Sequence, residues 1–388
     1  MTEIRKDLME ASKLYRAGKY EEALEIFEKN YNESPEAFRR VDITAYCWAI
    51  YQVHIKNSDD ENELFEYVQF ITDINSQADL NRYKTCPYTF SVFKVLKLLH
   101  NQNDSFNLIY WLEKINPDLL DQKRNTSNGR TFRSRKEEYF DYATKAYLDY
   151  EDFETCIEVS KKALSSIFKF TNNSDTWYRW RIAKSLRQLG QPEEALKYLN
   201  EVVKVKTEWY IYKEFADNYF MLDENEKALN CISRAVLTND PINMKVNLFA
   251  LIYEILKGSE PDIALRHAEL YYLIKLDTGS SNISEEIEDL EIDDTMLDKN
   301  QLISQIRAYW TDFKFKDQDL QYGTVTRFFD EKNYGFIRTD DDESIFFHRR
   351  EFKGDDMHVG QLVSFYTEKS FDKAKGEESL IAVNVKAE

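Results

Sequence analysis

The sequence predicts two kinds of domain in one chain, an all-α array of helical hairpins followed by a small all-β barrel of five strands. Three observations predict it. In the first 278 residues Pro and Gly are rare, and apolar residues recur at three- and four-residue spacing, the period of a helix with one buried face. Within that region a pattern of small residues returns after 33 residues, from Ala195 to Ala228. Beyond about residue 320 the pattern changes to short runs in which apolar residues alternate, as on a half-buried strand.

The clearest hairpin opens the chain. Ala11 and Leu14 fall in one helix, Gly18-Lys19 makes a turn, Ala23 and Phe27 lie on the inner face of a second helix, and Pro35 ends the unit. The pattern returns with Ala183, Leu186, the turn Gly190-Gln191-Pro192, then Ala195 and Leu199. It returns again with Ala216 and Tyr219, then Ala228, Ile232 and Ala235, closed by Pro241. Tyr147, Cys156 and Ala163 mark a looser copy, and Ala264 centres a degenerate one. Two diverged pairs are expected between Ala37 and Leu120, giving about seven in total. The pattern resembles the tetratricopeptide repeat, in which small residues let paired helices approach closely. That resemblance implies a solenoid over residues 1–278 whose concave groove takes a protein or peptide partner.

After residue 278 the composition shifts. Thr278-Gly279-Ser280-Ser281-Asn282 signals a linker, and residues 285–294, EEIEDLEIDD, hold seven acids and no base. The expectation is an acidic, solvated linker over 279–298. A sharper alternative is a mimic of nucleic acid that occupies a basic surface. Leu302, Ile306, Trp310 and Phe313 then mark an amphipathic helix, 299–316, expected to cap the open end of the solenoid.

The last domain, 320–388, carries the strongest functional signal. Strands are expected near 323–329, 334–339, 344–348, 362–367 and 379–385. Alternation places Ile337, Ile345 and Phe347 in a core and leaves Tyr334, Phe336, Phe346 and His348 on the opposite face. Such a ring-rich surface suits unpaired bases, because every base has a π-face to stack. The residues Gly323, Val325, Phe328, Lys332, Tyr334-Gly335-Phe336-Ile337 and Phe346-Phe347-His348 resemble the cold-shock domain, a five-stranded OB-type barrel. The resemblance implies binding of single-stranded RNA or DNA, with Arg327, Lys332 and Arg338 at phosphates and Arg349 and Arg350 as weaker contacts. This chain departs from the family at four places. Thr326 stands where a basic residue is usual, Arg327 where an aromatic is usual, Phe329 where Asn is usual, and Asn333 where Gly is usual. Asn tolerates a left-handed turn well, and Arg327 can itself stack on a base or pair with phosphate.

Two further clusters lie in the helical region. Residues 123–136 carry Lys123, Arg124, Arg130, Arg133, Arg135 and Lys136 with no acid among them, in a turn-rich stretch read as a long loop. Trp177, Trp180, Lys184 and Arg187 share one helix face, and Tyr210 and Lys213 hold the matching positions one repeat on. Arg130, Arg133, Arg135, Trp177, Trp180, Lys184 and Arg187 are thus candidates for a second contact, to nucleic acid or an acidic peptide. Packing between repeats, or a solvated loop, explains the same residues.

Composition bounds the rest. A net charge of −18 opposes general coating of nucleic acid, so any contact must be local. The N-terminus lacks the apolar core of a signal peptide, and no run is long enough to cross a bilayer, which points to a cytoplasmic protein without a membrane partner. Cys47, Cys86, Cys156 and Cys231 are scattered, with no metal-ligand spacing and no disulfide framework. Phosphate-binding glycine loops, nucleophile elbows and paired metal-ligating histidines are not found. The expectation is a non-enzymatic adaptor with no catalytic residues, metal or cofactor. The alternatives are a protein–protein scaffold whose barrel no longer binds nucleic acid, and an accessory subunit of a nuclease or translation complex.

Overall fold

The computed structural model describes residues 3–388 apart from 59, 281, 291, 295, 296, 355 and 373–376. The chain divides into two compact units, Met1–Glu224 and Asn225–Glu388. The first unit contains α1 (Glu3–Arg16), α2 (Tyr20–Glu33), α3 (Arg40–Ile50), α4 (Glu61–Ile74), α5 (Pro87–Gln102) and α6 (Ser105–Glu113). It continues with α7 (Arg135–Asp149), α8 (Phe153–Ser166), α9 (Asp175–Gln188), α10 (Pro192–Val202) and α11 (Trp209–Met221).

Small residues sit where paired helices meet. Ala11, Ala23, Ala183 and Ala195 are fully buried, and Phe27 and Leu199 fill the same seams. Gly18 and Gly190 take φ of +80° and +71°, the left-handed conformation that lets a helix end and reverse within a few residues. Helix α7 is tied to the loop before α9 by a buried carboxylate. Glu137 accepts from the Thr171 backbone N–H and hydroxyl, each at 2.9 Å, and from the Ser174 hydroxyl.

The basic stretch before α7 differs from the expected loop. Asn125–Ser127 and Arg130–Phe132 pair as a two-stranded hairpin, β1 and β2, and α7 already begins at Arg135. Asn128 and Gly129 hold φ of +50° and +73° at its tip. An Asn-Gly pair is a strong hairpin signal because both central positions of the tight turn need positive φ.

The second unit opens with α12 (Asn225–Val236), α13 (Val246–Leu256), α14 (Pro261–Asp277), the short α15 (Glu285–Glu288) and α16 (Lys299–Phe315). The acidic run is partly packed rather than solvated. Ile287 is 1% exposed, and Glu286 meets Lys257 at 3.0 Å. Glu291 of that run, with Ser281, Thr295 and Met296 of the same linker, lies outside the described residues. Helix α16 packs on α14 through Trp310, which is fully buried.

The unit closes with β3 (Gln321–Phe329), β4 (Tyr334–Thr339), β5 (Ser344–His348), the two-residue β6 (Phe352–Lys353), β7 (Leu362–Asp372) and β8 (Glu377–Ala387). The order β5-β4-β3-β7-β8, with β5 pairing back onto β8, closes a five-stranded barrel, and β6 adds to β8. Its core holds Val325, Ile337, Ile345, Phe347, Val363, Phe365, Ala382 and Val385. Outside that core, Phe315 at the end of α16 stacks on Tyr366 of β7, and Glu368 of β7 meets Lys314 at 2.9 Å and Arg234 at 3.4 Å.

Candidate nucleic-acid interface

The outer face of β3, β4 and β5 is set by one irregularity. In β3, Gly323 and Val325 point inward, so strict alternation would send Arg327 and Phe329 into the core as well. Instead the β3–β4 register shifts between Val325 and Arg327. This bulge leaves Thr326 unpaired and reverses the phase, as an extra residue in one strand does. The Thr326 hydroxyl donates to the Phe336 carbonyl at 3.2 Å within it. Phe328 now faces inward, its ring 6.5 Å from Phe347, while Arg327 and Phe329 face outward.

The pairing then builds cross-strand rows. Arg327 lies opposite Phe336, and Phe336 opposite Phe346. Phe329 lies opposite Tyr334, and Tyr334 opposite His348. Beyond the first row, Thr324 lies opposite Arg338 and Arg338 opposite Ser344. The rings make a continuous path. Centroid separations are 5.0 Å from Phe329 to Tyr334, 5.4 Å from Tyr334 to Phe346, 5.7 Å from Phe336 to Phe346 and 4.8 Å from Phe346 to His348.

Gly335 and Gly323 let this sheet close. A Cβ on Gly335 would lie 2.7 Å from the Arg327 carbonyl and from the Phe347 ring, and one on Gly323 would lie 2.5 Å from the Arg338 carbonyl. Asn333, at φ +55°, makes the left-handed turn into β4, and its carbonyl accepts from the Arg349 N–H at 2.9 Å.

The charges around the rings are not equivalent. Arg327 is exposed, and none of the described residues pairs with its guanidinium. Lys332 places its Nζ 6.0 Å above the Phe329 ring. Arg338 meets Asp342, in the acidic turn, at 3.3 Å with both side chains largely exposed. Arg349 donates to the Gly354 carbonyl at 3.3 Å and covers Phe352, and Arg350 meets Glu351 at 3.4 Å. Burial, and then the Arg350 charge, hold the His348 imidazole below its ordinary range, with Glu351 opposing.

The structure thus brings Arg327, Tyr334, Phe336, Phe346 and His348 onto one face, with Lys332 and Arg338 at its ends. Phe329 completes the face and is 39% exposed. Sequence reasoning missed it, because an apolar Phe329 fits the inward phase that strict alternation assigns to it. The one available signal is Arg327, a charged side chain at a position that alternation from Gly323 and Val325 would bury.

The candidates in the helical region lie in the first unit. Arg130 is exposed on β2. Arg133 is held by Asp141, and Arg135 meets Glu138 at 2.7 Å while covering the rings of Phe90 and Phe93. Lys136 is buried, with Asp118 at 3.7 Å. These cations serve the fold of α7 as much as they face solvent. Trp177 and Trp180 meet Tyr210 at 6.3 and 6.1 Å, and Lys184 lies 4.7 Å over Trp180. Arg187 instead turns to Glu214 at 3.3 Å and Asp217 at 3.9 Å. Burial raises the pKa of the Glu214 carboxyl, with Arg187 and Lys184 opposing.

Among the described residues no group of His, Cys, Asp and Glu is arranged to hold a metal ion, and no helix is long and apolar enough to cross a membrane. No curated protein sequence matches the chain. Among solved structures, a tetratricopeptide repeat protein from Parabacteroides merdae is 15% identical, with 74% of this chain and 96% of that chain covered and a TM-score of 0.36. BtubC (BKLC) from P. vanneervenii is 11% identical, covering 77% and 100%, with a TM-score of 0.37. The human IFIT1 dimer with PPP-AAAA is 13% identical, covering 81% and 72%, with a TM-score of 0.38. Residues 176–312 match the family model described as "Domain of unknown function (DUF7017)". Residues 321–387 match the model described as "'Cold-shock' DNA-binding domain". The chain carries paired helices followed by a C-terminal cold-shock domain.

Proposed function

We propose that this protein is a non-enzymatic adaptor that binds single-stranded RNA or DNA on the outer face of its barrel, while the helical hairpins recruit a protein partner or extend the contact. One observation carries the reading. Rings from three adjacent strands, Phe329, Tyr334, Phe336, Phe346 and His348, stand side by side on a surface that the barrel core does not use. Bases lie flat on such rings, each contributing about 1–3 kcal/mol with little regard to sequence. Lys332 and Arg338 border the rings and meet phosphates, and Arg327 stacks or pairs alongside. Acids outnumber bases in the chain, so stacking rather than charge supplies most of the affinity. The half-buried Trp177, Trp180, Lys184 and Tyr210 cluster and the exposed Arg130 on the hairpin are the candidates for a second contact.

The test is binding of the full chain to fluorescent mixed-sequence single strands, RNA and DNA. The double variant Phe336→Ala, His348→Ala should bind at least about tenfold more weakly, since two stacking positions are removed. Unchanged affinity overturns the assignment of this face.

A scaffold whose barrel has lost nucleic-acid binding, or an accessory subunit of a nuclease or translation complex, is the second reading. The Asp342 partner of Arg338 favours it, because it takes up a cation that phosphate would need. Salt separates the two. A stacking site shows a shallow decline of affinity with salt, whereas the scaffold binds no strand even at low salt.

A further inference from the structure

The bulge at Thr326 puts a phenylalanine and an arginine where one aromatic would serve, and the two take different roles. Resting on the nucleic-acid reading above, we propose that Phe329 supplies the stacking ring of β3 and that Arg327 reads the edge of a base, selecting guanine in the bound single strand.

The rows explain the division. Phe329 stands opposite Tyr334 with ring centroids 5.0 Å apart, so it extends the ring path by one position toward the β3 end. Arg327 stands inside the grid, opposite Phe336 and two residues before Phe329. Neighbouring strands lie about 4.8 Å apart, so a base flat on Phe336 turns one edge toward β3, within reach of a long side chain there. Phosphates of a splayed single strand lie outward from the platform while its bases lie against it. Cations at the ends of the platform, Lys332 and Arg338, are placed for phosphate. A cation in its middle is placed for base edges.

The chemistry of that edge follows from the guanidinium. It is a planar fork of donors with no acceptor, and it matches a pair of adjacent acceptors. Guanine presents O6 and N7 side by side, and the Arg–guanine pairing is the commonest bidentate base contact. Adenine offers one acceptor and one donor there, and in thymine and uracil the N3–H donor separates the two carbonyl acceptors. Arg327 is also uncommitted, since it is exposed and no described residue pairs with it, unlike Arg338 with Asp342 or Arg350 with Glu351.

The experiment compares full-length protein on short thymidine or uridine strands with the same strands carrying a single guanine, moved position by position. A single guanine avoids four-stranded structures. The native chain should prefer the best guanine-bearing strand by about tenfold. Arg327→Met should bring that ratio close to one. Arg327→Trp, which restores a ring and removes the donor fork, should also abolish the ratio while binding the plain strand at least as well as Arg327→Met does. Phe329→Ala should weaken both strands and leave the ratio in place. The proposal is overturned if the native chain shows no guanine preference, or if the preference survives in Arg327→Met. It is equally overturned if Arg327→Met weakens both strands alike and lowers the salt slope, the behaviour of a phosphate contact. Binding of plain strands without guanine preference leaves the platform standing and removes only the role of Arg327. Failure of every strand to bind the native chain removes both.

Discussion

Phe315, the last residue of α16, stacks face to face on Tyr366 of the barrel, with ring centroids 4.2 Å apart and planes within 1° of parallel. Phe315 is 4% exposed, and Lys314 beside it meets Glu368 two residues along β7. Glu368 also receives Arg234 from α12 at 3.4 Å. Val383, opposite Tyr366 in the ladder, is 6% exposed although it lies outside the barrel core. The barrel is therefore fixed to its neighbouring helices by a ring stack and a shared carboxylate. Phe315→Ala should cost about 3–5 kcal/mol of local stability, the range for a large buried ring. Hydrogen exchange in α16 and β7 should rise together. Glu368→Lys sets three cations against one another and should accelerate exchange at the same amides, whereas exchange in the β4–β5 ladder should change little.

Within the same unit, the Trp310 indole N–H donates to His267 Nε2 at 2.9 Å, and His267 Nδ1 lies 2.7 Å from the Ile263 carbonyl. The ring must therefore be neutral, with its proton on Nδ1. Burial holds its pKa down at about 4, with the Ile263 bond opposing. The unfolded ring titrates near its ordinary value, so the folded state binds fewer protons and stability rises with pH. The contribution is complete above pH 6.5 and is lost as pH falls through 6.5 toward 4. About 2 kcal/mol should be gone by pH 5. Exchange protection in α14 and α16, compared at pH 7 and pH 5, should drop more in the native chain than in His267→Gln. Trp310→Phe should cost about 1–3 kcal/mol beyond its packing loss, because it strands His267 Nε2 without a donor.

Gly335 faces the barrel core at the point where β4 passes the bulge. An added Cβ would meet the Arg327 carbonyl and the Phe347 ring, both at 2.7 Å. The carbonyl is backbone and cannot turn away, so the strands must separate. Gly335→Ala should destabilise the barrel by about 1–3 kcal/mol and weaken single-strand binding, although it removes no atom from the outer face. Gly258→Ala is the control, since no atom lies within 4 Å of its Cβ position. Equal melting behaviour of the two variants would contradict the close approach.

The helices and strands were legible because each buries one face, and burial writes its period into the sequence. Ala11, Ala23, Ala183 and Ala195 show the helix pairs, and Ile337, Ile345 and Phe347 show the barrel core. Features that depend on a single backbone event were not legible. The bulge at Thr326 changes which of Arg327, Phe328 and Phe329 face outward, and Phe328 and Phe329, one turned in and one turned out, read the same way by composition. The packing of Phe315 on Tyr366 was not legible either, because alternation reports which side of a strand is turned from its own core and not what lies against the other side. Asn128-Gly129 was a legible hairpin signal, obscured by the six cations around it. Arg135 and Glu138 pair at the legible helix spacing of three, whereas the pairs of Arg133 with Asp141 and Lys136 with Asp118 join residues that no helix spacing announces.

His348 closes the second ring row, opposite Tyr334 and 4.8 Å from the Phe346 ring. Burial and the Arg350 charge lower its pKa, so the imidazole is neutral at pH 7 and acts as a ring rather than as a cation. A bound polyanion stabilises the protonated form, so proton and strand binding reinforce one another. Affinity should be flat between pH 7 and 8 and should rise only as pH falls below the ordinary histidine value of about 6.5. His348→Phe keeps the stacking surface and should keep most of the affinity at pH 7.5 while losing the acidic rise. His348→Ala should lose affinity throughout, by about 1–3 kcal/mol. A rise in acid that persists in His348→Phe would assign the titration to another group and leave His348 a stacking ring alone.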